Sequence, residues 1–445
     1  MLIPVYVSDD GATTIYLTQD GNLYLKLSGQ NTEKISGNVS NISYITKNFT
    51  CIYYISDHDL YKKDLGKKQE KIASGVDCVI KIYDSGEMYY IKQDNQKINL
   101  LGYVEDDMKE EDAAITKPEY PSRPYPKDYS SDEEYQKAYS KYHSDYLSYH
   151  ARYGMYLDKL SRDRLREDLK DYTISNAGYI LCYYNGKEEN VLSNTFYYDA
   201  SYSVSSNTPA IVYKSFDQIS FEKIKLSDVS NFNTIEKKVT DALFSSSKLN
   251  IAVKDKATTI NTTTAENFQI NFKGDAVYYM DHISEETKHG ELYKVTLKDG
   301  IPQTSELYDS KVYKSDMHLL EDGSILYFKE FNVSDYSGDL YRNQKIVDYD
   351  VNSSHIDYNQ NTDSLVYFIN WDYDNLCGTL KLSQHNKSTR IYDNASHFEI
   401  LPNGEIVFLS DYDRNFFSGN LDCFQNGTIE RIDVDVSAIF SYFNT

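Results

Sequence analysis

Long apolar runs are missing from this chain of 445 residues. No stretch approaches the roughly 20 apolar residues that a membrane-crossing helix needs. The start, MLIPVYVSDDGATT, has neither a basic leader nor an apolar core, so it does not read as a signal peptide. Basic residues are scarce: 46 Lys and Arg stand against 68 Asp and Glu, a formal net charge of −22. Phosphate backbones are held by basic patches, so nucleic acid is not an expected partner. Cysteine is sparse and odd in number (Cys51, Cys78, Cys182, Cys377 and Cys423), with no C-x-x-C. That spacing excludes a zinc ribbon and a dithiol redox motif, and the odd count argues against a full disulfide framework. Cys51 and Cys182 lie among apolar strand residues, where buried free thiols are expected.

Catalytic motifs are missing too. There is no G-x-S-x-G elbow, H-E-x-x-H, P-loop or G-x-G-x-x-G. No catalytic residue and no cofactor is therefore assigned. His143 and His150 are seven residues apart on one helical stretch, roughly 10 Å along the axis, too far to share a metal.

What is abundant is tyrosine, 44 residues beside a single Trp371. Tyrosine suits pleated, half-buried surfaces on which its hydroxyl stays wet, so the chain reads as mostly β. The strands come in a repeat: an apolar-aromatic strand, a polar turn, then a strand with a Leu-Tyr-like pair. Clear copies are TCIYYISDHDLYKKDL (50–65), AVYYMDHISEETKHGELYKVTL (276–297), SILYFKEFNVSDYSGDLYRN (324–343), SLVYFINWDYDNLCGTLKLS (364–383) and EIVFLSDYDRNFFSGNLDCF (405–424). Flanking strands bring each unit to four strands, at a spacing of about 40–50 residues that matches a propeller blade. Aromatics on both parities fit sheets covered on both faces better than half-wet ones.

The expected fold is all-β: a single β-propeller over residues 1–445, built of four-stranded antiparallel blades with a helical insertion. Eight units are favoured, at about 3–39, 42–76, 78–194, 195–254, 259–312, 314–350, 353–394 and 396–437. Seven is the alternative, because 195–258 is irregular. The tail 436–445 reads as an extra strand completing the N-terminal blade.

The third unit is interrupted over 105–173. EDDMKEED (105–112) holds six acids in eight positions, and KPEYPSRPYP (117–126) carries four of the eight prolines. Together they read as a stiff, extended linker without a packed core. A capping box at Ser131 and Glu134 then opens a helix. Along it Tyr135, Tyr139, Tyr142, Tyr146, Tyr149, Tyr153 and Tyr156 alternate at spacings of four and three, a heptad seam of phenols. Gly154 is the expected break, giving a helical hairpin. A partner, the propeller flank or the return helix is expected to cover the seam. A shorter helical insertion is expected at 230–248.

Asp-rich hairpins recur at one place in successive units. Asp372, Asp374, Asp411 and Asp413 are weak Ca²⁺ candidates, since that ion wants several oxygens, but their spacing fits no EF-hand. Trp371, Tyr373, Tyr412, Phe416 and Phe417 lie in the same hairpins. Clustered on one rim, they would suit a sugar or a peptide.

The strand–turn–LY hairpins resemble the TolB-like group. More narrowly, VEDDMKEEDAAI (104–115) and RDRLREDLKDYTI (162–174), leading into LCYYNGKEENVLS, resemble uncharacterised envelope propeller proteins of Gram-positive bacteria. The resemblance implies an extracytoplasmic, cell-surface ectodomain, associated with the membrane only through an anchor that this chain does not contain. It brings no catalytic residues. The expected function is non-enzymatic binding of a protein, peptide or glycan. The alternatives are a carbohydrate-active enzyme using carboxylates near the channel and a cytoplasmic scaffold.

Overall fold

The strand Cys51–Ser56 (CIYYIS) is buried along its whole length, and its two faces go to different neighbours. Side chains of a strand alternate between faces. Ile52 and Tyr54 pack with Ile15, Leu23 and Leu25 on one side. Cys51, Tyr53 and Ile55 pack with Met88, Tyr90 and Cys182 on the other. The same rule holds onward: Tyr89 and Tyr183 meet Ile211 and Tyr213, and Leu326 and Phe328 meet Leu365 and Tyr367. This computed structural model describes residues 4–93, 97–105, 107, 114–175, 179–196, 202–215, 223–228, 231–245, 247–261, 265–314, 317–385 and 387–439.

The result is a β-propeller of eight four-stranded antiparallel blades. Blade 1 runs Val5–Val7, Thr13–Leu17, Leu23–Leu27 and Glu33–Ser36; blade 2 runs Val39–Ile45, Cys51–Ser56, Asp59–Asp64 and Glu70–Ser74. Blade 3 uses Val76–Ile82, Met88–Gln93, Tyr179–Tyr184 and Glu189–Phe196, and blade 4 uses Tyr202–Val204, Ala210–Ser215, Lys248–Val253 and Lys256–Asn261. Blade 5 is Glu266–Ile270, Ala276–Asp281, His289–Lys298 and Glu306–Tyr313. Blades 6, 7 and 8 share long strands: Lys345–Asn359 ends blade 6 and begins blade 7, and Lys387–Ile400 ends blade 7 and begins blade 8. The irregular stretch 195–258 is thus a true fourth blade whose middle hairpin has been opened. Blade 1 has four strands of its own. The last strand of blade 8 ends at Val436 and residues 437–439 are not strand. Residues 440–445, the rest of the expected tail strand, lie outside the described residues.

The chain divides into two compact units: 1–93, 179–215 and 248–445 form one, and 94–178 with 216–247 form the other. Both insertions leave the propeller between the second and third strands of a blade, one from blade 3 and one from blade 4. They then fold together, although far apart in sequence. Lys97–Asn99 pairs antiparallel with Thr173–Ser175, and Val104–Glu105 pairs parallel with Ile224–Lys225. Leu100, Val104, Leu165, Leu169, Ile235 and Val239 supply buried apolar residues of this unit. Ile235 and Val239 come from the second insertion's helix, Phe232–Ser245. Most of the acidic run, 106 and 108–112, lies outside the described residues.

The tyrosine segment is one unbroken helix, Asp132–Asp171, which corrects the expected break at Gly154. A helical glycine costs about 1 kcal/mol relative to alanine, too little to divide a long cooperative helix with strong formers on both sides. Its N-cap is Ser131, whose side chain accepts from the Glu134 N–H at 3.2 Å; the Glu134 carboxylate accepts from Ser130 instead of closing the box on Ser131.

Candidate functional site

One hairpin design is repeated at the same rim of blades 5 to 8. His282, Glu330, Asn370 and Asp411 adopt left-handed backbone, with φ of 52°, 47°, 51° and 49°. Such a kink in a strand re-aims the next side chain. The next residues are Ile283, Phe331, Trp371 and Tyr412, and each is followed seven positions later by a glycine: Gly290, Gly338, Gly378 and Gly419. A Cβ on Gly378 would lie 3.1 Å from Trp371 Cε3, and one on Gly338 would lie 2.9 Å from Phe331 Cδ2. The glycines are there because the re-aimed side chains fold over them.

Of the five aromatic residues that the sequence singles out, the structure brings Trp371 and Tyr373 together directly, with ring centroids 6.4 Å apart. Trp371 is half-buried, stacked on His355 at 4.4 Å and packed on Phe368 at 4.9 Å. Tyr373 reaches back to blade 6: its ring lies 6.3 Å from Tyr336, and its hydroxyl donates to the Asp335 carbonyl at 3.1 Å. The fully buried Asn352 donates to the same hydroxyl at 2.9 Å, while its own Oδ1 faces His355 Nδ1 at 3.0 Å. Tyr412 packs on His397 instead, 5.7 Å away. Phe416 and Phe417 stand at the tip of the blade 8 hairpin, 79% and 62% exposed. That tip is tied to blade 7 by Arg414, whose Nη1 donates to the Asp374 carbonyl at 2.5 Å. The three hairpin tips of blades 6, 7 and 8 therefore form one linked row.

Sequence reasoning missed Tyr336, Asn352, His355, His397 and Arg414. The signal for the histidines was present: Ser-His-Ile-Asp (354–357) and Ser-His-Phe-Glu (396–399) are copies of one corner, where the last strand of a blade turns into the first strand of the next. Burial, then the charge of His397, holds the His355 imidazole below its ordinary pKa.

Three of the four aspartates hold hydrogen bonds of their own. Asp372 accepts from the N–H groups of Asp374 and Asn375 and shapes its own turn; Asp413 accepts from the N–H of Asn415. Asp411 accepts from the Tyr392 hydroxyl. Among the described residues no group of three or more His, Cys, Asp or Glu side chains is placed to hold a metal ion. Acids do gather elsewhere: a cleft of about 450 Å³ on the inner strands is lined by Glu321, Asp357 and Glu399 together with Asn359 and Asn361.

The tyrosine helix is a second candidate, in the other unit. Its seven tyrosines are all half-buried, and none of the helix before Leu165 is buried. The rings form a ladder, for example Tyr139–Tyr142 at 6.0 Å and Tyr149–Tyr153 at 5.4 Å, with His150 against Tyr146 at 4.4 Å. The chain's own proline-rich segment lies along this ladder in antiparallel sense. Ala114–Thr116 and Pro118 meet Arg152 and Met155 around a pocket of about 310 Å³. Tyr120 then sits edge-on to Tyr146 and Tyr149, at 6.0 and 5.0 Å, and Tyr129 reaches Tyr135 at 6.0 Å. The extended segment thus lies on the helix through ring contacts, while none of residues 114–126 is buried. Pro118, Pro121 and Pro124 recur every third residue, the period of a polyproline II turn, and that was the overlooked signal.

Searches with sequence-family models and against curated proteins give no match. Solved structures that match include oligogalacturonate lyase of Vibrio parahaemolyticus, 10% identical over 92% of this chain and 94% of that chain, with a TM-score of 0.36. Dipeptidyl peptidase 4 of Porphyromonas gingivalis is 7% identical over 97% of this chain and 52% of that one, TM-score 0.38. TolB of Acinetobacter baumannii is 10% identical over 56% and 57%, TM-score 0.28. The chain spans about half the length of that peptidase. Superpositions this loose carry no functional argument, and the fold rests on the blades themselves.

Proposed function

We propose that this protein is a non-enzymatic binding propeller of the bacterial cell envelope, holding a protein, peptide or glycan on the rim of blades 6 to 8. The supporting observation is the linked row of hairpin tips, where Tyr336, 53% exposed, packs on Tyr373, 41% exposed, and Tyr373 lies edge-on to Trp371 of the Trp371–His355 stack. Exposed aromatic residues gathered at one place are costly to leave wet, and they suit stacking on a sugar or packing on a side chain. The envelope setting rests on the resemblance of the hairpins and the acidic–proline–helix insertion to Gram-positive envelope propellers. The test is an array of peptides and cell-wall glycans probed with the intact chain and with the Tyr336→Ala/Tyr373→Ala variant. Binding by the first and loss of about tenfold or more in the second is expected, at 1.4 kcal/mol per tenfold. Equal binding by both would reject the rim.

A second reading, a carbohydrate-active enzyme, is favoured by the three carboxylates of the inner cleft. It requires turnover of a polysaccharide that Glu399→Gln abolishes.

A further inference from the structure

We infer that the occupant of this rim is a basic, extended peptide segment whose Lys or Arg side chains lie over the hairpin tips, one blade after another. The inference rests on the rim being the binding surface and adds the chemistry of its ligand. Two independent features of the tips point the same way. The first is exposed apolar surface: Val333 and Tyr336 on blade 6, Tyr373 on blade 7, and Phe416 and Phe417 on blade 8 are 41–79% exposed. The second is charge. The same hairpins carry Asp335, Asp372, Asp374, Asp411 and Asp413 against a single guanidinium, Arg414. Among the described residues none of the five carboxylates is in an ion pair with Lys or Arg. Arg414 spends its Nη1 on the backbone carbonyl of Asp374.

Aromatic faces ringed by carboxylates attract a cation twice, through the ring quadrupole and through the formal charge. The same surroundings repel acidic polymers. The geometry favours a chain over a point cation. Tyr336 and Tyr373 are held 6.3 Å apart by the Tyr373–Asp335 hydrogen bond, and Arg414 ties in the tip bearing Phe416 and Phe417. The ring-bearing positions thus recur once per blade along a row, which suits successive side chains of an extended segment. Charge complementarity of this kind speeds encounter and is screened by salt.

The experiment is fluorescence anisotropy of the intact chain with labelled octalysine and octaarginine, and with an octamer of Gly-Ser and one of Glu as controls, at low and physiological salt. Because the whole chain carries a net charge of −22, a charge-matched control is needed. Asp335→Asn/Asp374→Asn is therefore compared with Asp255→Asn/Asp299→Asn, two exposed carboxylates on blades 4 and 5. Tyr336→Ala/Tyr373→Ala is the third variant. The inference expects the basic octamers alone to bind, with affinity falling about tenfold in the rim charge pair and in the tyrosine pair. The control pair should change it less than twofold. Equal losses in the rim and control charge pairs would overturn it, as would no loss in either. Tyrosine-dependent binding of the Gly-Ser octamer, or of an uncharged glycan, would overturn the basic ligand while leaving the rim as the binding surface. If neither these probes nor the peptide and glycan array bind, the rim itself fails along with the inference.

Discussion

Tyr367, fully buried between blades 6 and 7, donates its hydroxyl to Asp348 Oδ2 at 2.8 Å, across the blade boundary. Lys381 and Ser388 meet the same carboxylate. One blade back, Tyr327 donates to Asp309 at 2.5 Å beside Lys329 at 2.6 Å. The ring fills the inter-blade core and the phenol reaches a carboxylate on the neighbour's outer strand, which leucine cannot do. Tyr367→Phe keeps the ring and drops the hydrogen bond. A loss of about 1–3 kcal/mol in urea unfolding is expected, since the acceptor is charged. An unchanged midpoint would mean that Lys381 and Ser388 satisfy Asp348 without the phenol.

The His355 corner should make the protein acid-sensitive. Its imidazole titrates below the ordinary value because it is buried, with the nearby His397 charge adding to the effect. As pH falls below the unfolded-state value of about 6.5, the unfolded chain takes up a proton that the folded chain refuses. Stability is therefore level above that pH and falls from there down to the folded pKa. Thermal melts between about pH 7.5 and 5 should show this slope, and His355→Gln should flatten it. Parallel profiles for the two proteins would contradict the assignment.

The unbroken tyrosine helix makes Gly154 an ordinary exposed helical position, with open space where an alanine methyl would stand. Gly154→Ala should stabilise the insertion by up to about 1 kcal/mol. A turn at Gly154 would give the opposite sign. In the same unit, Tyr120→Ala should speed amide hydrogen exchange across 114–129 without changing exchange in the blades, because Tyr120 anchors the strap to Tyr146 and Tyr149.

Burial pushes the Cys51 thiol up to about 11 and the Cys182 thiol up to about 12. Both should resist a thiol reagent at about pH 8 in the native protein and react only after unfolding, as read by mass spectrometry of labelled peptides. Rapid native labelling of Cys182 would mean that the blade 2–blade 3 core opens readily.

The blades were legible because two-sided burial writes aromatics on both parities of a strand, as in Cys51–Ser56, and because turns recur at fixed spacing. The rim was half legible. Trp371 and Tyr373 stood out as residue types, but Asn352 and His355 act through a corner between blades, which only the strand register brings beside them. The helix seam was visible as a period. What covers it was not, because a three-residue proline period serves a spacer as well as it serves a partner for a seven-residue tyrosine period. The joining of the two insertions was also hidden: a two-residue parallel ladder, Val104–Glu105 with Ile224–Lys225, has no pattern of its own.

The central claim is that the hairpin row of blades 6 to 8 is where this protein binds. Amide hydrogen exchange of the intact chain, with and without the tightest ligand from the arrays, tests it most directly. The expected result is protection confined to 331–338, 371–378 and 412–419. Protection instead in the tyrosine helix at 132–156, or along the inner cleft at 357–361 and 399–402, would contradict it.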